Sequence, residues 1–577
     1  MKDRARRDQP VSAIPLAYGR DRYKWIALSN TTLGVLIATL NATSLLIAMP
    51  VIFRGIKVNP LDPANFSYLL WLLMGYMVVS AVLVVTAGRI GDMFGRTRVY
   101  NIGFAIFTVA AIGLSLVWSQ GTAGALELIV LRMVQAVGGA MMMASSAAIL
   151  TDAFPASQRG FALGINMIAA MGGSFLGIVV GGVLAGINWR WIFLVNVPIG
   201  IIGTLWGFWK LKEIGVRHRA RIDWLGNLTF AGGLTMLLVG MTSGLRPYGG
   251  SVMGWSNPFV IAMVIGGLMV LALFVAIEMR IKDPMFHLDL FRIRAFTAGN
   301  IAGMLGAIAR GGLQFMLIIW LQGIWLPLHG YDYTQTPLWA GIYLLPMTFG
   351  FLVAGPISGI LSDRYGARPF ATGGMLLTAL SFGLLMLLPA NFWFPVFALL
   401  IFVNGVSMGL FASPNTAAIM NSVPARHRGV ASGMRVTFMN VGMPLSIGLF
   451  FTLMILGLNA TVPAAMYGGL VSNGVPAPLA HRLAGLPPIS YLFASFLGYN
   501  PLQTLLGPVL GHLPAANAAR LTGRTFFPSL ISGPFQHGLV LVLSFSIAAS
   551  LVAAAASALR GGRYVHEEHA VREAARA

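Results

Sequence analysis

The sequence contains no cysteine and very little charge. With no Cys among 577 residues, disulfides, thiolate chemistry and Cys-ligated zinc or iron–sulfur sites are excluded. Charged residues make up 10% of the chain, whereas an ordinary soluble domain has about 25%. Since 57% of the residues are apolar, there is too little polar surface for a soluble enzyme, a secreted disulfide scaffold or a disordered protein. The composition therefore predicts a polytopic membrane protein.

Acidic residues are also few. The chain has 17 Asp and Glu and 38 Lys and Arg, which gives a net charge of +21. Of the 38 basic residues, 28 fall in loops and tails on one side of the predicted spans, seven in loops on the other side and three inside apolar runs. This bias follows the positive-inside rule, so both termini of a cell-membrane protein are expected in the cytoplasm. Topology thus explains the basicity. The lipid bilayer is the expected partner, and a nucleic-acid partner is excluded.

Fourteen apolar stretches between residues 25 and 559 are long enough, at about 20 residues each, to cross a bilayer. An internal repeat organises them: the loop at 88–98 is similar to the loop at 359–368, and 155–164 is similar to 424–433, both at an offset of about 270 residues. Two six-span halves with two inserted spans follow from this offset. The expected segments are a basic tail at 1–24, halves at 25–211 and 297–559, inserted spans at 224–277 and a tail at 560–577.

Residues 457–534 form a long outer connection that is rich in Pro, Gly and Leu. One interpretation is a partly helical loop lying on the membrane surface. The other is a cap over the outer mouth of a transport path, because long structured connections are usually functional or disordered. The sequence leaves both open.

The repeated loop carries glycines, an acid and an arginine in similar places in both halves. Glycines allow a tight turn between two helices, and the acid can face a helix N-terminus or a basic partner. We therefore expect these loops to act in gating. The residues concerned are Gly88, Asp92, Gly95 and Arg96 in the first half, and Gly359, Asp363, Arg364 and Gly366 in the second.

These loops resemble the conserved loop of the major facilitator superfamily. RMVQAVGGA at 132–140 resembles the family's span-4 motif, and WRWIFLVNVPIG at 189–200 is typical of its fourteen-span drug:proton antiporter branch. GSFLGIVVGG at 173–182 resembles the antiporter motif of span 5, although Ile178 replaces a proline. Its glycines, which we interpret mainly as helix-packing positions, are Gly173, Gly177, Gly181 and Gly182.

The resemblance implies an all-α fold of two six-helix repeats plus two inserted helices around a central cavity. It also implies export of amphipathic small molecules or drugs by alternating access. No nucleotide-binding, catalytic or metal-binding motif stands out, so neither enzyme activity nor a cofactor or metal is expected. A monomer is the working expectation for the oligomeric state.

The chain departs from the branch at the coupling acid. The branch usually has an aspartate in span 1, where this chain has Asn41. None of the acidic residues lies at mid-membrane, and Glu127, near the outer end of span 4, is the least implausible proton carrier. Proton coupling by the usual route is therefore in doubt.

Three arginines inside apolar runs are the strongest functional clues. Arg310 lies about 13 residues into its run, roughly 20 Å at the helical rise, with Gln314 four residues later on the same predicted face. Arg132 lies nearer the outer side, with Gln135 on its face. Each of these two pairs, together with Asn41, is a candidate for substrate or coupling contacts, or for structural bonding. Arg435 is close enough to the cytoplasmic end to snorkel, so we interpret it as structural.

An arginine at mid-membrane with no acid beside it favours a neutral or anionic amphiphile as substrate. The alternative functions are an exporter of anionic or lipid-like molecules that is not coupled to protons in the usual way, and a non-transporting membrane scaffold or sensor. Intact gating loops in both halves argue against the scaffold.

Overall fold

The computed structural model describes residues 17–59, 61–155, 158–214, 222–281, 284–424, 428–498 and 500–561. Over these residues the chain is helical, and fourteen segments are long and apolar enough to cross a membrane. Helices dominate because a bilayer offers no hydrogen-bond partners, so each backbone group must find its partner inside the segment. The predicted all-α class is confirmed.

The spans are numbered in chain order. They are Arg22–Gly55, Pro63–Phe94, Arg96–Ser115, Gly121–Ala153, Phe161–Ile187, Trp191–Lys210, Trp224–Gly244, Pro258–Glu278, Arg294–Leu328, Thr336–Ser362, Ala367–Met386, Phe394–Asn421, Val430–Val471 and Phe526–Ala558.

The helix pairings repeat between the two halves. Span 4 packs against spans 1, 2 and 3, and span 12 packs against spans 9, 10 and 11. Spans 1 and 5 pair as spans 9 and 13 do, and spans 3 and 6 pair as spans 11 and 14 do. The halves meet where span 2 packs on span 13 and span 5 on span 10, which are exchanged by the same repeat. The two six-helix repeats are therefore confirmed.

Spans 7 and 8 form the inserted pair. They pack on each other, and span 7 also contacts span 2 of the first half and span 13 of the second. The inserted pair thus lies beside one of the two contacts between the halves.

Span 9 is not one continuous α-helix. It runs as α-helix over Arg294–Arg310 and Leu313–Ile319 and as π-helix over Trp320–Trp325. At the first break the Gly312 N–H donates to Ser446 Oγ on span 13, at 2.9 Å. Interrupted membrane helices require such outside partners for their freed backbone groups.

The helices around the outer connection extend further than hydropathy indicates. One helix covers Arg428–Val471 and the last covers Phe526–Ala558, so the segment between them is 472–525 rather than 457–534. The helices continue past the apolar runs even though Pro463 and Pro534 lie inside the two extensions. The segment 472–525 contains the helices Ala477–Ala484, Pro488–Phe496, Leu502–Leu506 and Ala515–Thr522.

Candidate functional site

A small cavity of about 30 Å³ lies within the second half, between spans 9, 12 and 13. Two guanidinium groups enter it, from Arg310 at the end of the first helix of span 9 and from Arg435 on span 13. The remaining lining residues are Asn300, Gly303, Met304, Phe411, Ala412, Asn415, Thr416 and Met439.

Arg310 is only partly satisfied by the protein. Its Nε donates to the Gly306 carbonyl one turn earlier at 3.0 Å, and its guanidinium lies 5.9 Å from the centre of the Phe411 ring. Its buried Nη1 has no hydrogen-bond partner among the described residues. A buried N–H without a partner costs about 1–3 kcal/mol, and more on a charged group. Arg310 therefore has donor capacity left for a molecule in the cavity.

Arg435 is likewise only partly satisfied by hydrogen bonds. Its Nη1 lies 3.3 Å from Met439 Sδ, which is a weak acceptor, and its buried Nε has no partner in the described part of the chain. From the sequence, Arg435 was expected to snorkel to the cytoplasmic end of its span. In the structure, span 13 turns the Arg435 side chain toward span 9 instead. Two cations thus share one cavity.

A third arginine stands behind the cavity wall. Arg560, which follows span 14, is 4% exposed and donates from Nη2 to Asn415 Oδ1 at 2.6 Å. Burial lowers the pKa of Arg560 to about 10, so the group remains protonated at neutral pH. Asn415 in turn donates from Nδ2 to the Gly299 carbonyl at 3.1 Å. Arg560 therefore fixes the orientation of Asn415.

Acids are missing from this wall: none of the described lining residues carries a carboxyl group. An uncompensated arginine in the membrane interior costs at least about 2.5 kcal/mol, so water, carbonyl dipoles or an anion must compensate it. Asn300 adds a buried Oδ1 without a partner, which can accept from a protonated group. The cavity presents two arginines to an anionic group and Met304, Phe411 and Met439 to an apolar one, and it must widen to admit a whole amphiphile.

A second polar cluster lies in the first half and unites three residues singled out from the sequence. Arg132 Nη1 donates to Asn41 Oδ1 and to Gln135 Oε1, the latter at 2.6 Å. The guanidinium also lies over the Tyr76 ring, 4.5 Å from its centre. Arg132, Asn41 and Gln135 are each at most 2% exposed. Asn41, at the position of the branch's usual acid, is therefore the uncharged partner of a buried arginine.

Gln314 and Glu127 belong neither to the cavity nor to the Arg132 cluster. Gln314 does not line the cavity, because the helix ends at Arg310 and restarts at Leu313, which removes the four-residue register. Glu127 is half-buried near the outer end of span 4, and among the described residues it forms no ion pair.

The first gating loop forms an ion-pair network. Arg96 binds Asp92 at 2.9 Å from Nη2, and its Nη1 lies 2.8 Å from both oxygens of Asp152 on span 4. Gly95 adopts φ 113°, a conformation that favours glycine. The Glu213 carboxylate accepts from the backbone N–H groups of Arg96 and Thr97, at 3.1 and 3.0 Å. Sequence reasoning missed Asp152 and Glu213; their only signal was an acid at the inner end of a span.

The second gating loop is less fully described. Gly366 adopts φ 86° between spans 10 and 11, matching Gly95 in the first half. The side chain of Asp363 lies outside the described residues. Arg364 is exposed and lies over the Tyr365 ring at 5.4 Å. Neither Gly88 nor Gly366 has a neighbour where a Cβ would stand, whereas a Cβ on Gly359 would lie 2.7 Å from Ser413 Oγ.

The glycines of span 5 lie against other helices. A Cβ on Gly173 would stand 2.5 Å from the Leu36 carbonyl of span 1, and one on Gly177 would stand 2.4 Å from the Leu40 carbonyl. Gly181 faces Ser44, which is also on span 1, and Gly182 faces Leu338 on span 10. Three of the four glycines thus bring spans 1 and 5 together, and the fourth lies at the contact between the halves.

On the side that the sequence predicts to face outward, aromatic contacts join the two halves. Phe66 of span 2 lies 4.8 Å from Phe451 of span 13, and Phe451 lies 5.1 Å from Phe315 of span 9. The helix Pro488–Phe496, all nine residues of which are buried, enters this cluster. Its Phe493 contacts Phe66 at 5.6 Å. We call Pro488–Phe496 the outer plug.

An ion pair lies at the rim of this closure. Asp332 binds Arg524 at 3.1 Å. The Thr334 backbone N–H, then the Thr334 hydroxyl and then the Arg524 guanidinium lower the pKa of Asp332 below its ordinary value. Arg54 of span 1 donates to the neighbouring Tyr333 carbonyl at 3.4 Å. These contacts add to the closure around the outer plug.

Known proteins share this architecture and sequence pattern. The family model described as Major Facilitator Superfamily matches residues 31–326 and 300–457. The riboflavin transporter RibZ of Clostridioides difficile is 30% identical, covering 74% of this chain and 88% of its own. The tetracenomycin C resistance and export protein of Streptomyces glaucescens is 27% identical, covering 95% and 94%. The multidrug transporter protein MdtP of Bacillus subtilis is 26% identical, covering 91% and 92%.

Solved structures share the fold. An inward-facing bacterial homologue of the human lysosomal transporter Spinster superposes with a TM-score of 0.56 at 14% identity, covering 93% of this chain and 97% of its own. A D-xylose–proton symporter superposes with a TM-score of 0.51 at 14% identity, covering 82% and 97%.

Proposed function

The chain belongs to the major facilitator superfamily, and on that premise we propose that it exports neutral or anionic amphipathic small molecules across the cell membrane by alternating access. The observation that carries the substrate class is the cavity into which Arg310 and Arg435 project with unpartnered buried nitrogens. The export function named for the Streptomyces relative supports the direction.

In this proposal the site binds its substrate through charge and catalyses no reaction. A carboxylate, sulfonate or phosphate head would accept from Arg310 and Arg435, and Asn415 would supply a donor or acceptor held in place by Arg560. A charge-assisted hydrogen bond contributes about 1.5–3 kcal/mol, roughly 10- to 100-fold in affinity. A lipophilic cation would meet two like charges and no acid, so the cavity should reject it.

The test compares two amphiphiles that share one apolar part, one ending in a carboxylate and the other in a quaternary ammonium. Purified protein should bind the carboxylate more tightly in calorimetry. Arg310→Gln should weaken that binding at least 10-fold and Arg310→Lys should weaken it less, because the lysine keeps the charge. Arg292→Gln, at an exposed arginine just before span 9, is the matched control. Wild-type affinity in folded Arg310→Gln protein, or preference for the cation, would refute the proposed substrate class.

A lipid-like substrate is the second candidate, favoured by the apolar wall of Met304, Phe411 and Met439. Lengthening the apolar part of the carboxylate should then raise the affinity at about 0.8 kcal/mol for each buried CH₂ until the cavity is full. A plateau after a few carbons favours a small drug-like molecule instead. The scaffold alternative requires that proteoliposomes show no flux of any bound amphiphile.

We further propose that 25–211 and 297–559 act as the two moving halves, that both termini face the cytoplasm and that the protein works as a monomer. In this scheme Asp92 and Arg96, with Asp363 and Arg364, stabilise one gate state. The Arg132–Asn41–Gln135 cluster stabilises the first half without titrating. Any proton coupling then passes through another acid, with Glu127 as the fallback, so Glu127→Gln protein that still uses a proton gradient would eliminate it.

A further inference from the structure

Two buried carboxyl groups meet at the inner end of the inserted spans, outside the cavity and the gating network. Asp223 caps span 7, where its Oδ1 accepts from the Gly226 N–H at 2.7 Å, and Glu278 ends span 8. They are 6% and 3% exposed. A Cβ on Gly226 would stand 2.2 Å from Asp223 Oδ2 and 2.6 Å from Glu278 Oε1. Gly226 thus allows the two carboxyl groups to approach each other.

The four oxygens of the pair are unequally satisfied. Asp223 Oδ2 accepts from the Met285 N–H at 3.3 Å, and Glu278 Oε2 accepts from the Phe286 N–H at 3.0 Å. Glu278 Oε1 is buried, and no N–H or O–H group of the described chain donates to it. The Glu278 carboxyl nevertheless stands against the same position on Gly226 as the Asp223 carboxyl. Two carboxyl groups bond to each other only if one carries a proton, because two adjacent buried carboxylates repel. A proton shared with Asp223 would give Oε1 the partner that it lacks.

The neighbouring spans bring one charged group and one aromatic ring to this place. From span 2, Arg89 donates to the Pro284 carbonyl, next to the backbone that binds the pair. From span 13, Phe438 packs on Phe286 with ring centres 5.9 Å apart. Arg89 thus holds the connection through the Pro284 carbonyl, and Phe438 covers Phe286.

The other ionisable residues near the pair belong to the connection between spans 8 and 9. Arg280 and Asp289 are exposed, and His287 is half-buried. Lys282 and Asp283 lie outside the described residues.

The pair stands where the inserted spans join the two halves. Asn227, one turn after Asp223, accepts a hydrogen bond from Thr86 of span 2. Phe286, held by Glu278, packs on Phe438 of span 13. Spans 2 and 13 form one of the two contacts between the halves, so the pair is linked to both partners of that contact.

We propose that Asp223 and Glu278 form a proton-binding pair through which cytoplasmic pH regulates transport. The regulatory part rests on the proposed function. One shared proton fastens the backbone of residues 285–286 to spans 7 and 8. When the proton leaves to the cytoplasm, the two carboxylates repel, one backbone N–H is released and the link to the second half loosens. Turnover therefore falls as inner pH rises past the titration of the pair, by about tenfold per pH unit once few pairs hold the proton.

The first test detects the proton itself. Infrared difference spectra of the full-length protein in lipid, recorded during an alkaline titration, should show loss of a carboxylic-acid C=O band. Glu278→Gln and Asp223→Asn should each lack that band, whereas Asp289→Asn, an exposed acid of the same connection, should keep it. A wild-type spectrum with no band that Glu278→Gln removes would overturn the proposal, whether or not the protein transports. Loss of the band on adding Na⁺ at constant pH would overturn it in favour of a cation site.

The second test addresses regulation. In Glu278→Gln the amide N–H donates to Asp223 in place of the shared proton, so the link should persist at high pH. In proteoliposomes the variant should lose the alkaline fall in transport rate, and Asp289→Asn should retain it. If Glu278→Gln lacks the infrared band but keeps the alkaline fall, the pair does not regulate transport. If wild-type protein carries no amphiphile at all, the proposed function fails and the infrared result still decides the proton site.

Discussion

Phe493 of the outer plug should set how often the outer side opens. Its side chain is 1% exposed and meets Phe66 of span 2 at 5.6 Å and Phe53 of span 1 at 6.0 Å. Phe493→Ala removes these contacts in the closed state, and truncating a buried Phe typically costs about 3–5 kcal/mol. If the plug leaves this cluster when the outer side opens, Phe493→Ala destabilises the open state much less than the closed state.

The lower figure, about 3 kcal/mol, raises the ratio of open to closed molecules by roughly 100-fold. Because the chain contains no cysteine, the ratio can be read from a single introduced thiol. Gln322, 1% exposed on span 9 and donating to the Ile47 carbonyl, is covered in the closed state. We expect Gln322→Cys to react slowly with an impermeant maleimide added outside, and up to 100-fold faster when combined with Phe493→Ala.

Two controls accompany this measurement. Gln503→Ala changes an exposed residue of the neighbouring helix and should leave the labelling rate unchanged. A cysteine at the exposed Ser472 should react equally fast with and without Phe493→Ala. A labelling rate at position 322 that stays within twofold of the parent, in folded Phe493→Ala protein, would show that the plug does not control opening.

Three further predictions concern the gate, the helix packing and the rim. Asp152→Asn should slow transport with little loss of substrate binding, because Arg96 loses a partner held at 2.8 Å through both oxygens; equal turnover in flux assays would contradict a gating role. Gly177→Val should separate spans 1 and 5, since its Cβ would stand 2.4 Å from the Leu40 carbonyl; thermal unfolding in detergent should show a clear drop in Tm, and an unchanged Tm would refute the tight packing. Because the pKa of Asp332 is lowered in the folded protein, its contribution to stability is present at neutral pH and is lost as pH falls through the folded-state pKa. Asp332→Asn should therefore reduce the fall in Tm at acidic pH. A plot of Tm against pH that is identical to that of the parent would exclude the contribution.

The sequence by itself was sufficient for the architecture. Hydropathy and basic charge vary along the chain itself, so the number of spans could be read without knowing any contact. The offset between the gating loops likewise gave the two repeats. The sequence also pointed to Arg310, Arg132 and Asn41, because a charge inside an apolar run, or its absence where the family has one, is visible from local composition.

The tertiary structure alone decided which of these residues meet. Arg435 faces the Arg310 cavity because of the rotation of span 13, and Gln314 leaves it because span 9 breaks after residue 310. Arg560 reaches Asn415 across 145 positions of the chain. The pairing of Asp223 with Glu278 depends on the close approach that Gly226 permits between two helix ends. Membrane insertion is determined by each segment's own composition, whereas helix rotation, helix breaks and close approach depend on packing between segments far apart in sequence.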